Sequence, residues 1–552
     1  MTTRKPPGII SVVRLTTLFA SLLVSISSGT NYVTWAPQLG SRLHINHTQL
    51  NIVGLAANVG VYSSGPIWGR IVDRKGPRVP LIAAFFLLLT GYSCIKLFFD
   101  AGLPEGVTTM ATLNFGLLVL CSYMTGAGGN AGFTGSVNST AKSFPDKARA
   151  TATGFVIGGF GLSAFIFSTV AHVMYAGNTS AFLQLLAIGT ALPMILGCFL
   201  VRPIPLALEM LPGIERGLGT NIDASTSTSA LIDDSHTRLL ESDGSDVELD
   251  DSDDASHQYT HEHPRSRSLS VASSAFVRTH GQLDGDIPNI FGAELWRSGD
   301  FWLLFTILSI LSGTGLMYIN NVGAMSQTLY AKNQSNYDEI EAARWQATQV
   351  STISIMNFLG RILIGIISDT AKNTFRLPRS YCLILVSIGV FLSQVTAAHI
   401  DEISNLWSAS AILGLSYGSV FSLLPQVCIE WFGLPHFSEN WGYLSMAPMV
   451  AGNVFMVFFG RNLDAHESKS HSQELTTRAA EKLPAKDETP LCLEGKECYV
   501  AALHLTTAMT FACILLSVWA GWRDRRRLTQ MADGVESKRR SRTHRRLSGE
   551  RD

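Results

Sequence analysis

The sequence predicts an all-α membrane protein with twelve transmembrane helices arranged as two bundles of six. Three observations carry this. Only 15% of the 552 residues are charged, against about 25% in a typical soluble domain. The apolar residues gather into nearly uncharged runs of about twenty, enough for a helix across a bilayer core of roughly 30 Å. A short motif that ends the second run returns at the end of the eighth, so the chain reads as a duplication. Length alone would suggest several soluble domains, and this clustering excludes them. A formal net charge of −1 gives no sign of nucleic-acid binding, and eight cysteines in so long a chain make no disulfide framework.

In order, the runs fall at 13–35, 50–70, 79–99, 111–135, 150–173 and 181–201, then at 300–322, 348–368, 380–399, 404–426, 440–460 and 499–522. The first is too long for a signal h-region and is read as an uncleaved helix. Glycines stud several runs, as at Gly154, Gly158, Gly159 and Gly161. Helices that pack inside lipid need such close backbone approach. Orientation follows from the cations. Arg70, Arg74, Lys75 and Arg78, then Lys142, Lys147 and Arg149, then Lys372, Arg376 and Arg379 share one side with Arg4, Lys5 and the tail from Arg523 to Arg546. Both termini are therefore expected in the cytoplasm. The basic tail reads as a topology and lipid-contact element more than as a nuclear signal. The sequons at Asn46, Asn178 and Asn333 fall in loops on the other side and are candidate glycosylation sites, whereas Asn138 falls on the cytoplasmic side and should stay empty.

The predicted domains are a first bundle over 1–202, a linker over 203–298, a second bundle over 299–522 and a tail over 523–552. The linker middle, from Asp233 to Asp254, is acidic, rich in Ser and Thr and poor in large apolar residues. Such a segment buries too little surface to offset its ordering entropy and should be disordered. Arg265 to Ser270 within it has the look of a basophilic kinase target, and Leu239-Leu240 loosely resembles a dileucine sorting signal, so a kinase or sorting adaptor is a candidate partner. The polar loop at 461–498, on the outer side, holds Cys492 and Cys498, the two cysteines outside the runs. On an oxidising face they can close a disulfide.

The sharpest motif runs from Gly69 through Asp73, Arg74 and Gly76 to Arg78. Gly69 allows close helix contact. Asp73, four residues on, shares its face at the membrane edge, where a carboxylate is costly unless paired. Arg74 or Arg78 is the expected partner. Such a cluster can hold two bundles together in one state and release them in another. The spacing returns as Gly365 and Asp369, followed by Lys372, Arg376 and Arg379, although Thr370 stands where the first copy has Arg74.

Parallel six-span repeats joined by a long linker resemble the major facilitator superfamily, and Gly69 to Arg78 is similar to that family's signature loop position by position. The resemblance implies two halves that rock around a central site, with a gate role for Gly69, Asp73, Arg74, Gly76 and Arg78, and for Gly365 and Asp369. A narrower likeness, to the nodulin-like branch with its fungal monocarboxylate-transporter homologues, rests on stretches spread over most spans. They include Asn31-Tyr32, Ala36-Pro37, Thr48 to Leu50, Phe144-Pro145, Gly161 to Ser163, Asn357 to Arg361 and Tyr417 to Phe437. The branch pattern implies a gate contact for Glu430 and His436.

Arg361 is the leading substrate residue. It lies eight residues before Asp369, so about 12 Å deeper along the helix at 1.5 Å per residue. An arginine at that depth calls for a cavity or a partner, and its planar fork suits a carboxylate or phosphate. The alternative is a structural contact between the halves. Asn357 shares its face but cannot carry a proton; proton-coupled monocarboxylate transporters, which this helix resembles, have an aspartate there. A coupling proton would need another group. Polar residues in otherwise apolar runs complete the candidate cavity: Asn31 and Tyr32, Tyr123 and Asn130, and Tyr318 and Asn320. His172 and Lys96 sit near outer helix ends and read as interfacial.

The expected function is a secondary transporter of a small organic solute, more specifically a carboxylate-bearing anion, by alternating access. The alternative is a non-transporting solute sensor that signals through the linker. No phosphate-binding loop, zinc-binding helix or nucleophile elbow appears, so no enzyme, metal or cofactor is expected. The dileucine-like element and the fungal likeness favour the vacuolar membrane over the plasma membrane.

Overall fold

The computed structural model describes residues 11–29, 32–45, 47–103, 110–175, 178–204, 288–332, 338–481, 492 and 494–548. The acidic linker, Asn31, Asn46 and Asn333 lie outside them, as do the side chains of Tyr32 and His172. Residues 1–206 and 287–552 form one compact unit. Its first half contains α1 (Val12–Ile26), α2 (Tyr32–Leu43), α3 (His47–Ser63), α4 (Gly65–Lys75), α5 (Arg78–Ala101), α6 (Thr112–Ser143), α7 (Asp146–Met174) and α8 (Thr179–Leu200). The second contains the short α9 (Ala293–Arg297), then α10 (Gly299–Ala331), α11 (Glu339–Asn373), α12 (Cys382–His399), α13 (Leu406–Phe432), α14 (Phe437–Leu444), α15 (Ala447–Glu481) and α16 (Val500–Ser548).

Every predicted run coincides with helix, but three of them are broken in two. Among the described residues, nine helical stretches are long and apolar enough to cross a membrane. The first two runs fall short because α1 and α2 part around Ser27 to Gly29, and α3 and α4 part at Ser64. Pro66 sits in the first turn of α4, where its missing N–H is tolerated but where it could not continue α3. The eleventh run is split into α14 and α15. The fourth, α6, is long enough but too polar, for a different reason: from Cys121 onward it is enclosed by protein, whereas Leu113, Leu117 and Leu120 before it are exposed. Its side from Thr125 to Thr140 is buried almost without interruption, including Asn130, Ser136 and Asn138.

Packing depends on small residues. In the first half α3 and α5 lie against α6, and α8 against α5; in the second α11 lies against α13, and α12 against α13 and α16. A Cβ on Gly126 of α6 would stand 1.9 Å from the Ala57 carbonyl of α3, and one on Gly418 of α13 would stand 2.1 Å from the Asn357 carbonyl of α11. Buried hydroxyls and amides then link helices where lipid could offer them nothing: Ser387 with Ser517 at 2.9 Å and Thr506 with Gln394 at 2.9 Å join α12 to α16.

At the end remote from Asp73, a disulfide joins Cys492 and Cys498. Lys496, between them, donates to Asp401 at 3.0 Å, and Lys332 at the end of α10 pairs with the same carboxylate at 3.6 Å. The hydrogen bond from Lys496, with Lys332 beside it, holds the Asp401 carboxyl below the usual carboxylate range. Asn178 caps α8 by accepting from the Ala181 N–H at 3.0 Å, and Lys96 pairs with Asp100 at 2.5 Å.

Gly126→Ala is expected to destabilise the protein by about 1–3 kcal/mol, the usual cost of overpacking. Gly116→Ala in the same helix, where a Cβ meets nothing within 4 Å, should be close to neutral. Melting temperatures of the two variants in one detergent check the contrast.

Candidate functional site

The two Gly-x-x-x-Asp copies sit at one end of the molecule, and each reaches across to the other half. In the first, Asp73 accepts the Glu439 N–H of α14 at 2.9 Å. Phe437 begins α14, so this is a first-turn amide with no partner inside its own helix, and it sits at the positive end of that helix dipole. Gly69 makes the approach feasible, since a Cβ there would lie 2.1 Å from the Ser438 carbonyl. The other partners of Asp73 are Asn138 at 2.7 Å and Lys142 at 3.2 Å, both from α6. This corrects the expected pairing with Arg74 or Arg78. Both of those side chains are exposed at the turn, while Asp73 points inward, with a side chain 1% exposed. Gly76 closes α4 at φ +77, a left-handed conformation that suits glycine. Arg70 adds a forked contact to Glu439, with Nε at 2.9 Å and Nη2 at 2.7 Å. Asn138 also donates to Ser438, so the sequon expected to stay empty is buried in this contact.

The second copy repeats the geometry with the halves exchanged. Asp369 accepts the Thr151 N–H at 2.8 Å, the Thr151 hydroxyl at 2.7 Å and the Ala150 N–H at 3.3 Å, all near the start of α7. A Cβ on Gly365 would stand 2.7 Å from the Ala150 carbonyl. Arg379, itself 1% exposed, donates to Asp369 at 2.8 Å, to Glu430 at 2.6 Å and to Asp146 at 3.1 Å. Lys372 bridges Glu430 and Asp146 at 2.6 and 2.7 Å. Glu430 is thus a shared anion of this cluster, and a cavity of about 670 Å³ opens beside it, lined by Arg149, Arg376 and Asp524 among others.

Deeper along α11, Arg361 is 4% exposed. Its Nε donates to Asn357 Oδ1 at 3.0 Å, and one terminal nitrogen donates to the Ile157 carbonyl of α7 in the other half. Gly161 leaves room for the guanidinium, since a Cβ there would be 3.2 Å from Arg361 Cζ. Tyr62 of the first half and Tyr417 of the second lie within electrostatic reach of its charge. Among the described residues no carboxylate is its partner, and no hydrogen bond from its second terminal nitrogen joins the two from Nε and the first. Both readings of Arg361 find a footing in this geometry: it touches the other half, and it keeps one unpaired edge.

The other candidates are scattered. Tyr123 shares a hydrogen bond with Ser63 at 3.3 Å, and Asn130 donates to Ser64 at 3.2 Å, both within the first half. Tyr318 is fully buried, with its hydroxyl 3.0 Å from Ser410. Asn320 is exposed and donates to Met456 Sδ at 3.1 Å. None of these four hydrogen-bonds to Arg361. Sequence reasoning missed Glu439, Asp146, Thr151 and Tyr62, read Asn138 only as an unused sequon, and took Arg70 and Lys142 for topology cations alone. Arg379 was signalled by the run of basic residues after Asp369.

The family model of the Major Facilitator Superfamily matches residues 17–454. Among similar proteins, an uncharacterized membrane protein of Saccharomyces cerevisiae is 25% identical over 488 residues, covering 80% of this chain and 86% of its own. A protein of Neurospora crassa described as probable transporter mch1 is 24% identical over 587 residues, covering 95% and 92%. Among solved structures, a proton:xylose symporter bound to 6-bromo-6-deoxy-D-glucose aligns at a TM-score of 0.50 and 12% identity, over 91% of this chain and 94% of that one. That likeness concerns the fold.

Asp73→Asn retains the shape of the first contact and removes its charge. Hydrogen bonds to charged groups contribute about 1.5–3 kcal/mol, so the variant should break this contact at least about tenfold more often. Distances between spin labels at the exposed Arg74 and Phe375, one on each half, should lengthen. An unchanged distance distribution would count against the contact as a latch.

Proposed function

The chain belongs to the Major Facilitator Superfamily, and on that premise we propose that it carries a small carboxylate-bearing anion across a membrane by alternating access, as a secondary transporter. The observation that carries the cargo class is Arg361. A cation at that depth costs about 3 kcal/mol or more unless something compensates it, and among the described residues its partners are an amide oxygen and a backbone carbonyl, with no opposing charge. A bound carboxylate would supply the missing charge and fill the unpaired edge of the fork. Asn357 orients the guanidinium, and Tyr62 and Tyr417 offer hydroxyls from opposite halves. Tyr123, Asn130, Tyr318 and Asn320 then shape the helices rather than hold the cargo.

The two aspartate contacts act as the gate. With Lys and Arg concentrated at that end, we assign it to the cytoplasmic face, so the arrangement described is closed to the cytoplasm and the disulfide-bearing loop faces outward. Reorientation requires Asp73 and Asp369 to release the amides of α14 and α7. Cargo binding favours that step by neutralising Arg361, the buried charge that would otherwise have to cross between the two faces of the cavity unpaired.

The test is thermal stability of the purified protein with pyruvate, succinate, citrate, glutamate or glucose. A ligand at a hundred times its Kd stabilises a native state by about 2.7 kcal/mol. A carboxylate should raise the melting temperature of the wild type and leave a folded Arg361→Ala unmoved, with Arg361→Lys recovering little because an ammonium lacks the planar fork. A response to glucose alone, or one equal in both proteins, would assign Arg361 to structure and remove the anion assignment.

A further inference from the structure

The gate helix α14 has two faces. Taking 100° per residue, Ser438, Gly442 and Ser445 fall on one side and His436, Asn440 and Tyr443 on the other. The first side meets the first half of the molecule: a Cβ on Gly69 would lie 2.1 Å from the Ser438 carbonyl, and a Cβ on Gly442 would lie 2.5 Å from the Gly65 carbonyl. Glu439, at the border, binds Asp73 and Arg70.

The second side is covered by residues 288–297, the stretch that leads into α10. The Phe291 ring stacks on His436 with centroids 3.7 Å apart and planes at 15°. The Ile290 carbonyl accepts from Asn440 Nδ2 at 2.9 Å, and the Ile290 N–H donates to the Phe432 carbonyl at 3.0 Å. Trp296 of α9 meets Tyr443 edge to face at 5.2 Å. Gly433, at φ +98, presses against the Pro288 carbonyl, which a Cβ there would approach to 2.0 Å. Asn440 is fully buried, so its bond to Ile290 is shielded from water and is costly to lose. Tyr443 joins the two sides, because Arg70 Nη2 also donates to its hydroxyl at 3.2 Å.

We infer that residues 288–297 are a brace for the gate, holding α14 at the angle at which its first-turn amide meets Asp73, so that loosening the brace releases the latch between the halves. An eight-residue helix is too short to hold its own shape by backbone hydrogen bonds alone, and α14 joins α15 only through Ser445 and Met446. Its orientation therefore comes from what lies against it, and away from the first half that is this brace together with parts of α10 and α13. Because the two aspartate contacts close the same pair of halves, a brace that governs the first also acts on the second, on α7.

Hydrogen–deuterium exchange of the intact protein tests this without any cargo, so its failure would leave the anion reading standing. The amides to follow are Glu439 at the first latch, Ala150 and Thr151 at the second, and those of α16 between 503 and 517 as a report on the core. In Asn440→Ala, exchange should rise at least threefold at Glu439 and also at Ala150 and Thr151, with α16 unchanged. Phe291→Ala, which removes a ring that is 40% exposed, should do the same more weakly and serves if Asn440→Ala fails to fold. Faster exchange confined to 288–297 and α14, with Ala150 and Thr151 at the wild-type rate, would overturn the inference and leave the stretch as local packing.

Discussion

A carboxylate placed one helical turn beyond a glycine, and aimed at backbone amides of the opposite half, is the interaction on which the rest of this structure turns. It needs both residues. Without Gly69 or Gly365 the helices stand too far apart for the carboxylate to reach an amide, and without the charge the close contact is only packing. Burying Asp73 and Asp369 would be unfavourable unless each were met by a cation and several N–H donors. Lys142 and Arg379 supply the cations. Such a contact is strong when aligned and worth little when misaligned, which suits the gate proposed above.

The same logic explains why α6 looks so unlike its neighbours. It carries Asn138 and Lys142 to the first latch and is enclosed by α3 and α5 along most of its length. An enclosed helix has no lipid to face, so it can trade leucine and isoleucine for glycine, serine and asparagine. Its low hydropathy marks depth within the bundle.

How much of this was legible follows the range of the interactions. The helical class, the two halves and the recurrence of Gly-x-x-x-Asp depend on residues a turn or two apart, and all were readable. The breaks between α3 and α4 and between α14 and α15 were not, because a run of apolar residues looks the same whether one helix or two passes through it. The partners of Asp73 were beyond reach: Asn138, Lys142 and Glu439 lie 65, 69 and 366 positions away. Arg74 was the obvious partner by proximity, yet one step along a helix turns a side chain by about 100°, which puts Arg74 at the surface while Asp73 faces inward. Arg361 was readable as an expensive residue, but its bond to Ile157 in the other half was not. The partners of the cavity candidates were not legible either, because a polar residue in an apolar helix is as well satisfied by a neighbouring helix, as Tyr318 is by Ser410.

The ion clusters at the gate have balanced charge. Asp73 and Glu439 are met by Lys142 and Arg70, and Asp146, Asp369 and Glu430 by Arg149, Lys372 and Arg379. Opening and closing them rearranges charges of both signs over short distances and carries almost no net charge through the membrane field. Arg361 is different. Empty, the centre bears one positive charge; with a monoanion bound there as proposed, it bears none. A full elementary charge moved across the field is worth about 2.3 kcal/mol per 100 mV. With the proposed cargo, the resting voltage of the membrane therefore acts on the return of the empty carrier and leaves the loaded one nearly untouched.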